Sequence, residues 1–155
     1  MHPTAQRVYL ALTEAGFTGT IIEHEESTRT AEEAAQAAHC DVGQIVKSLV
    51  FSLEPDATPI LLMVSGANRV HEKHLGQLLG GKLVRPDANY VYESTGFAIG
   101  GIPPIGHSQP LATYLDEDLM QYETVWAAAG TPNAVFETTP SFLQTITKAQ
   151  IVSVK

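Results

Sequence analysis

Apolar and polar positions alternate along the chain with two periods, one helical and one strand-like. Over residues 3–15, "PTAQRVYLALTEA", apolar residues recur at helical spacing, with Pro3 near the start and Gly16 past the end. "TIIEHEE" (20–26) has the pattern of a short strand, and Thr30-x-x-Glu33 forms a capping box ahead of an alanine-rich helix. Strands are expected at 45–53 and 59–65, joined by "EPDATP", whose turn formers suit a hairpin. "VHEKHLGQLLGG" reads as a helix closed by glycines, and residues 87–95 as a further helical turn or two before Gly96. Beyond a glycine–proline stretch, "PLATYL", "ETVWAAAG" and "AVFETT" read as strands. Thr139 caps and Pro140 opens a late helix, and "QIVSVK" closes as a strand.

Strands outnumber helices, and many connections are too short to hold crossover helices. The expected fold class is α/β of the α+β kind: a mixed, barrel-like β-sheet with flanking helices. No repeat, low-complexity tract or linker interrupts the chain, so residues 1–155 are expected to form a single domain.

A lysine interrupts the apolar pattern of "VGQIVKSLVFSL" (42–53). Strand alternation places Ile45, Lys47, Leu49 and Phe51 on one face and Val46, Ser48, Val50 and Ser52 on the other. If the Ile/Leu/Phe face is interior, Lys47 points inward, where an ammonium is costly without a partner. Three readings stand at this level. The lysine snorkels from an edge, it pairs with an internal carboxylate, or it lines a pocket and holds an anion or a developing oxyanion.

Composition narrows the class. At 155 residues, with 44% hydrophobic and 17% charged positions, the chain can bury a stable core as an ordinary globular protein. No apolar run has the length of a membrane span, and the N-terminus lacks the basic start and small-residue cleavage site of a signal peptide. The single cysteine, Cys40, permits no internal disulfide, so a reducing cytoplasm is the expected compartment. A formal charge of −8 argues against a broad DNA or RNA footprint, but still allows contact with the end of a nucleic acid through a local patch. Arg69, Lys73, Lys82 and Arg85, with only Glu72 among them, form a basic island that reads first as solvated surface.

"FAIGGIPPIGH" (97–107) combines paired glycines, which let a backbone approach a ligand, with prolines that stiffen the loop. It is either a tight surface turn or a rigid device presenting backbone N–H groups. It lacks both the G-x-G-x-x-G and G-K-[ST] phosphate-binding patterns. His71 and His74 are spaced H-x-x-H, not H-E-x-x-H, and no third ligand accompanies them, so no metal is expected. His39, Cys40 and Asp41 at a helix end suit capping better than ligation, and no G-x-S-x-G elbow exists for a serine nucleophile. His107 is either a loop histidine or a residue that reaches the site.

Taken together, "STRTAEEAA", "GQIVKSLVF", "LLMVSGANRV", "GFAIGGIPPIGH" and "VWAAAGTPNAVF" resemble the YbaK/ProX-like aminoacyl-tRNA deacylases. These are relatives of the editing domain inserted in bacterial prolyl-tRNA synthetases, and the resemblance covers nearly the whole chain. It implies a freestanding trans-editing enzyme that hydrolyses the ester of a mischarged tRNA bearing a small amino acid such as Ala, Ser or Cys. The implied partners are the 3′ acceptor end of the tRNA and a prolyl-tRNA synthetase, with no cofactor. The family's essential lysine falls on Lys47, and its G-x-x-x-P loop on Gly100 to Pro104. The resemblance thus implies catalytic roles for Lys47, Gly100 and Gly101, and substrate contacts from Thr30, Ser48, Ser65, Pro104, Gly106, Gly130 and Asn133. Family members often carry histidine where Asn133 stands; asparagine keeps hydrogen bonding but cannot titrate, which argues against a general base there. The competing expectation is a non-catalytic module that binds a tRNA end or a synthetase through the same pocket, and a third is hydrolysis of another small activated ester.

Overall fold

The protein was analysed as a computed structural model describing residues 1–155. Helices are α1 (Pro3–Glu14), α2 (Ala31–Ala38), α3 (Glu72–Leu79), α4 (Ala88–Thr95) and α5 (Pro140–Thr147). Strands are β1 (Ile21–Glu23), β2 (Ile45–Glu54), β3 (Thr58–Ser65), β4 (Lys82–Val84), β5 (Ala112–Asp116), β6 (Val125–Ala128), β7 (Ala134–Thr138) and β8 (Gln150–Val152). Local signals start and stop the helices as expected. Thr30 accepts from the Glu33 N–H and the Glu33 carboxylate reaches back, completing the capping box, while Thr139 accepts from Phe142 ahead of Pro140. Gly80 and Gly96 end α3 and α4 in the left-handed conformation.

The eight strands form one mixed sheet in the order β1-β7-β6-β2-β3-β5-β8, with β4 paired to β2 off that path. Pairs β1–β7, β2–β3, β2–β4 and β6–β7 are antiparallel; β2–β6, β3–β5 and β5–β8 are parallel. Strands β1 and β8 end the order without pairing to each other, so the barrel-like sheet is open.

Both faces of the sheet are covered. Val46, Val50, Leu61 and Met63 point into the larger core, with α1, α4, α5, Phe97 and Ile102 packed on it. Phe51, Ile60, Leu62 and Val64 point into a smaller core under α3 and β4. The Ile45/Lys47/Phe51 face is interior, and so is the opposite one. The face shared by Ser48 and Ser52 carries the larger core, and Lys47 lies on the face of the smaller one. Parallel pairing explains this, because a central strand covered on both sides is apolar on both.

Strand β2 pairs with β3 along most of its length, but its other edge is split. Ile45 and Val46 pair with β6, Ser52 to Glu54 pair with β4, and residues 47–51 have no strand on that side. The Ile45 carbonyl accepts from Gly66 on the β3 side at 2.7 Å. Alternation then turns the main-chain groups of Ser48 and Val50 towards the gap.

Candidate active site

A cleft of about 410 Å³ opens at this gap, a volume in the range of small-molecule sites. Its floor is the unpaired stretch of β2 with Trp126 and Ala127 of β6; one wall is Ala31, Ala34 and Ala38 of α2. Those alanines lie on one helical face, and their small side chains leave the space open. The opposite wall is the glycine–proline loop with Ile99, Gly100, Gly101 and Ile102. The lining is mostly apolar, carries three cations, Arg29, Lys47 and Arg85, and contains no aspartate or glutamate. In a chain with 17 acidic and 9 basic residues, that local balance favours an anionic ligand.

Lys47 is half-buried, and its Nζ donates to the Asn68 carbonyl at 2.6 Å. Asn68 is itself held by its side chain, whose Nδ2 donates to Asp116 Oδ2 and Asp118 Oδ2, both at 2.8 Å. Asp116 is buried and also accepts from the Ser65 N–H at 3.0 Å and the Asp118 N–H at 2.9 Å. Lys155 closes the network on Asp118 at 2.9 Å. The lysine is thus aimed by a carbonyl that a buried carboxylate fixes from behind. Burial lowers the Lys47 pKa from the usual lysine value; Glu32 opposes that shift and Arg69 adds to it.

Ser48 is also among the lining residues, though its hydroxyl is buried and has no hydrogen-bond partner. The N–H groups of Gly100 and Gly101 have no acceptor within the protein, which leaves them free as donors. Gly101 packs so closely on the next turn that a Cβ there would lie 2.7–2.9 Å from Thr131 backbone atoms. Across the cleft, Thr28 ties to the Pro132 carbonyl through both its N–H, at 2.7 Å, and its hydroxyl, at 2.8 Å.

Of the residues expected from sequence, Thr30, Lys47, Ser48, Gly100 and Gly101 line this cleft. Ser65 does not; its hydroxyl donates to the Gly43 carbonyl at 2.8 Å. Pro104, Gly106 and His107 line a separate depression on the far side of the loop. His107 Nε2 sits 2.7 Å from the Pro103 carbonyl, which makes it the donor, so the loop reading of this residue is the one the geometry supports. Gly130 faces Val8, Thr4 and Phe97, and the Asn133 side chain donates to the His24 carbonyl at 2.7 Å. Both hold the turn behind the cleft instead of lining it. His71 caps α3 by accepting from the His74 N–H, and burial raises the Cys40 pKa, with Asp41 and Glu137 adding to it, which keeps the thiol protonated.

Residues 25–146 match the aminoacyl-tRNA editing domain. The chain belongs to that family. YwhH of Bacillus subtilis (strain 168) is 36% identical to this chain over 123 residues, covering 79% of this chain and 78% of that protein. EbsC of Enterococcus faecalis, a candidate Cys-tRNA(Pro)/Cys-tRNA(Cys) deacylase, is 27% identical over 130 residues, covering 83% and 79%. The crystal structure of a candidate trans-editing enzyme for prolyl tRNA synthetase superposes with a TM-score of 0.94 at 50% identity, covering 100% of this chain and 98% of the other.

The editing domain family is one of aminoacyl-tRNA deacylases, so the cleft is to be measured against an aminoacyl ester on a terminal nucleoside. An editing domain needs no base-reading groove for that chemistry. It needs a pocket for the acyl side chain, donors for the ester carbonyl and positive charge for the strand. Two contributors escaped sequence reasoning. Asn68 lay within a quoted motif without a role, because its function passes through its main-chain carbonyl. Arg29 stood beside the capping threonine, and nothing local marks it as facing Gly100.

Proposed function

We propose that the protein is a freestanding trans-editing deacylase that hydrolyses the ester of a mischarged tRNA carrying a small, uncharged amino acid. The observation that carries this reading is that Lys47 lines one cleft together with Gly100 and Gly101, whose N–H groups have no acceptor in the protein, and that this lining holds no carboxylate. Apolar walls and the absence of a carboxylate disfavour a cationic side chain. Alanine, serine and cysteine fit that chemistry, and the similarity to EbsC, a candidate Cys-tRNA(Pro)/Cys-tRNA(Cys) deacylase, adds weight to cysteine on tRNA(Pro). A prolyl-tRNA synthetase is the proposed donor of the substrate.

In this mechanism Lys47 holds the acceptor end and orients the ester, with one of its three N–H groups on Asn68 and the others free for the ligand. The glycine-loop N–H groups donate to the carbonyl oxygen as it becomes an oxyanion. Water attacks the carbonyl carbon, the bond to the ribose oxygen breaks, and that oxygen leaves with a proton. The products are the free amino acid and an uncharged tRNA. An aminoacyl ester is already activated, so positioning and electrostatic stabilisation are sufficient sources of acceleration. A phosphate beside Lys47 raises its pKa again, which keeps it an anchor instead of a base.

The test is single-turnover hydrolysis of a panel of mischarged tRNAs by the protein and by Lys47→Ala. One or two amino acids should be released rapidly, and the substitution should slow that release by about 100-fold or more. No release anywhere in the panel, with tRNA still bound, would replace this reading with a non-catalytic module.

A further inference from the structure

The geometry points to Arg29 as a phosphodiester anchor at the lip of the cleft, with its stem packed on Gly100. The inference takes the identity of its ligand from the deacylase reading, but the anion site itself stands on separate observations.

Arg29 lies between Thr28 and Thr30, the capping-box residue of α2, so its backbone is held on both sides. Its N–H donates to Ser27 Oγ at 3.2 Å, and the adjacent Thr28 is doubly bonded to Pro132. The side chain then runs across Gly100. A Cβ on that glycine would lie 2.9 Å from Arg29 Nε and 3.2 Å from its Cδ and Cγ. The stem therefore packs against the loop at Gly100, where a side chain would have to push it aside. Gly100 also sits at φ +103°, where a side chain is strained.

The guanidinium at the end of that stem has no carboxylate within ion-pair distance and donates to no acceptor in the protein. Two other arginines are occupied. Arg7 donates to the Gly96 carbonyl at 3.1 Å and lies over the Phe97 ring, and Arg85 pairs with Glu72 at 3.0 Å. Arg69 is also free, but it does not line the cleft. Arg29 is thus a positioned, uncommitted cation on an acid-free cavity in a chain of net charge −8.

A planar guanidinium matches phosphate oxygens in pairs, which an ammonium cannot do. The cleft has mostly apolar walls, Lys47 in its floor and Arg29 at its lip. That arrangement fits a ligand with an uncharged end and an anionic tail, such as an acylated terminal nucleoside on its strand. Arg29 would hold the phosphate that joins this nucleoside to the preceding nucleotide.

Binding tests the anchor without any chemistry. The protein is titrated with adenosine, adenosine 5′-monophosphate, inorganic phosphate and the dinucleotide CpA, and the titrations are repeated with Arg29→Gln and Arg29→Lys. Arg29 is exposed, so these variants should fold, which thermal unfolding verifies. CpA should bind about tenfold tighter than adenosine, Arg29→Gln should remove most of that difference, and Arg29→Lys should restore part of it. Equal weakening of adenosine and CpA, or of neither, overturns the anchor. Tighter binding of the mononucleotide or of phosphate alone than of CpA overturns its assignment to a strand. The two readings fail separately. Absent hydrolysis with an intact Arg29-dependent phosphate preference removes the deacylase alone. Hydrolysis whose preference for aminoacyl-tRNA over aminoacyl-adenosine is the same in Arg29→Gln removes the anchor alone.

Discussion

Lys47 looked anomalous in a strand because an ammonium among apolar residues needs a compensating partner. The partner is the carbonyl of Asn68, a main-chain group, so neither internal ion pairing nor simple snorkelling describes it. The bond leaves the charge uncancelled and directed into a cleft, which is the arrangement an anion-binding lysine requires. The glycines beside it serve through what they lack. Gly100 leaves room for an arginine stem, and Gly101 lets the loop touch the Thr131 backbone. Gly101→Ala should therefore destabilise the fold by roughly 1–3 kcal/mol, the usual range for overpacking, because the atoms it meets are backbone and cannot rotate away. Chemical denaturation gives that value, and a change within a few tenths of a kcal/mol would show that the two segments separate freely.

At the level of elements, the site exists because β2 has two partners on one edge and a gap between them. β6 and β4 hold its ends, and the glycine–proline loop and α2 close over the middle. The loop after β3 then connects the site to β5, since Asn68 bonds Lys47 through its carbonyl and Asp116 through its amide. Asn68→Ala keeps the carbonyl but removes the amide that aims it. Turnover should fall about tenfold, and the variant should lose about 1–3 kcal/mol of stability, since the buried Asp116 loses a donor. A double-mutant cycle separates the two effects. In a Lys47→Ala background the loss of turnover should vanish while the loss of stability persists; additive losses of turnover would rule out positioning through Lys47.

Across the whole molecule the net charge is −8, whereas the cleft lining carries three basic side chains and no acidic one. No helix is long and apolar enough to cross a membrane. Global stability should carry a signature from His107, which braces the glycine–proline loop from behind. Burial lowers its pKa from the usual value, and the hydrogen bond to Pro103 opposes part of that shift. The unfolded chain therefore binds this proton more readily than the folded one. Stability contributed here is complete above about pH 6.5, declines as the pH falls through that unfolded value, and is gone below the folded one. Urea midpoints at pH 7.5 and pH 5 should differ less in His107→Gln than in the parent. An equal difference would place the acid sensitivity elsewhere.

Much of the architecture was legible in the chain because it is local. The capping box at Thr30, the proline start of α5, the glycine ends of α3 and α4 and the β2–β3 hairpin each rest on residues a few positions apart. Strand β4 was missed because its three residues carry no period of their own and become a strand only by pairing with β2. Within the site, the sequence by itself singled out Lys47 by the cost of a buried charge, and the glycine loop by composition. What joined Arg29 to Gly100, Gly101 to Thr131, and Lys47 through Asn68 to Asp116 was tertiary structure alone. Those contacts span dozens of residues, and no local pattern encodes a distance that only the closed fold creates. The same reason moved Gly130 and Asn133 from the pocket to the turn behind it: adjacency along a strand fixes a neighbourhood, and packing decides which side of it faces the ligand.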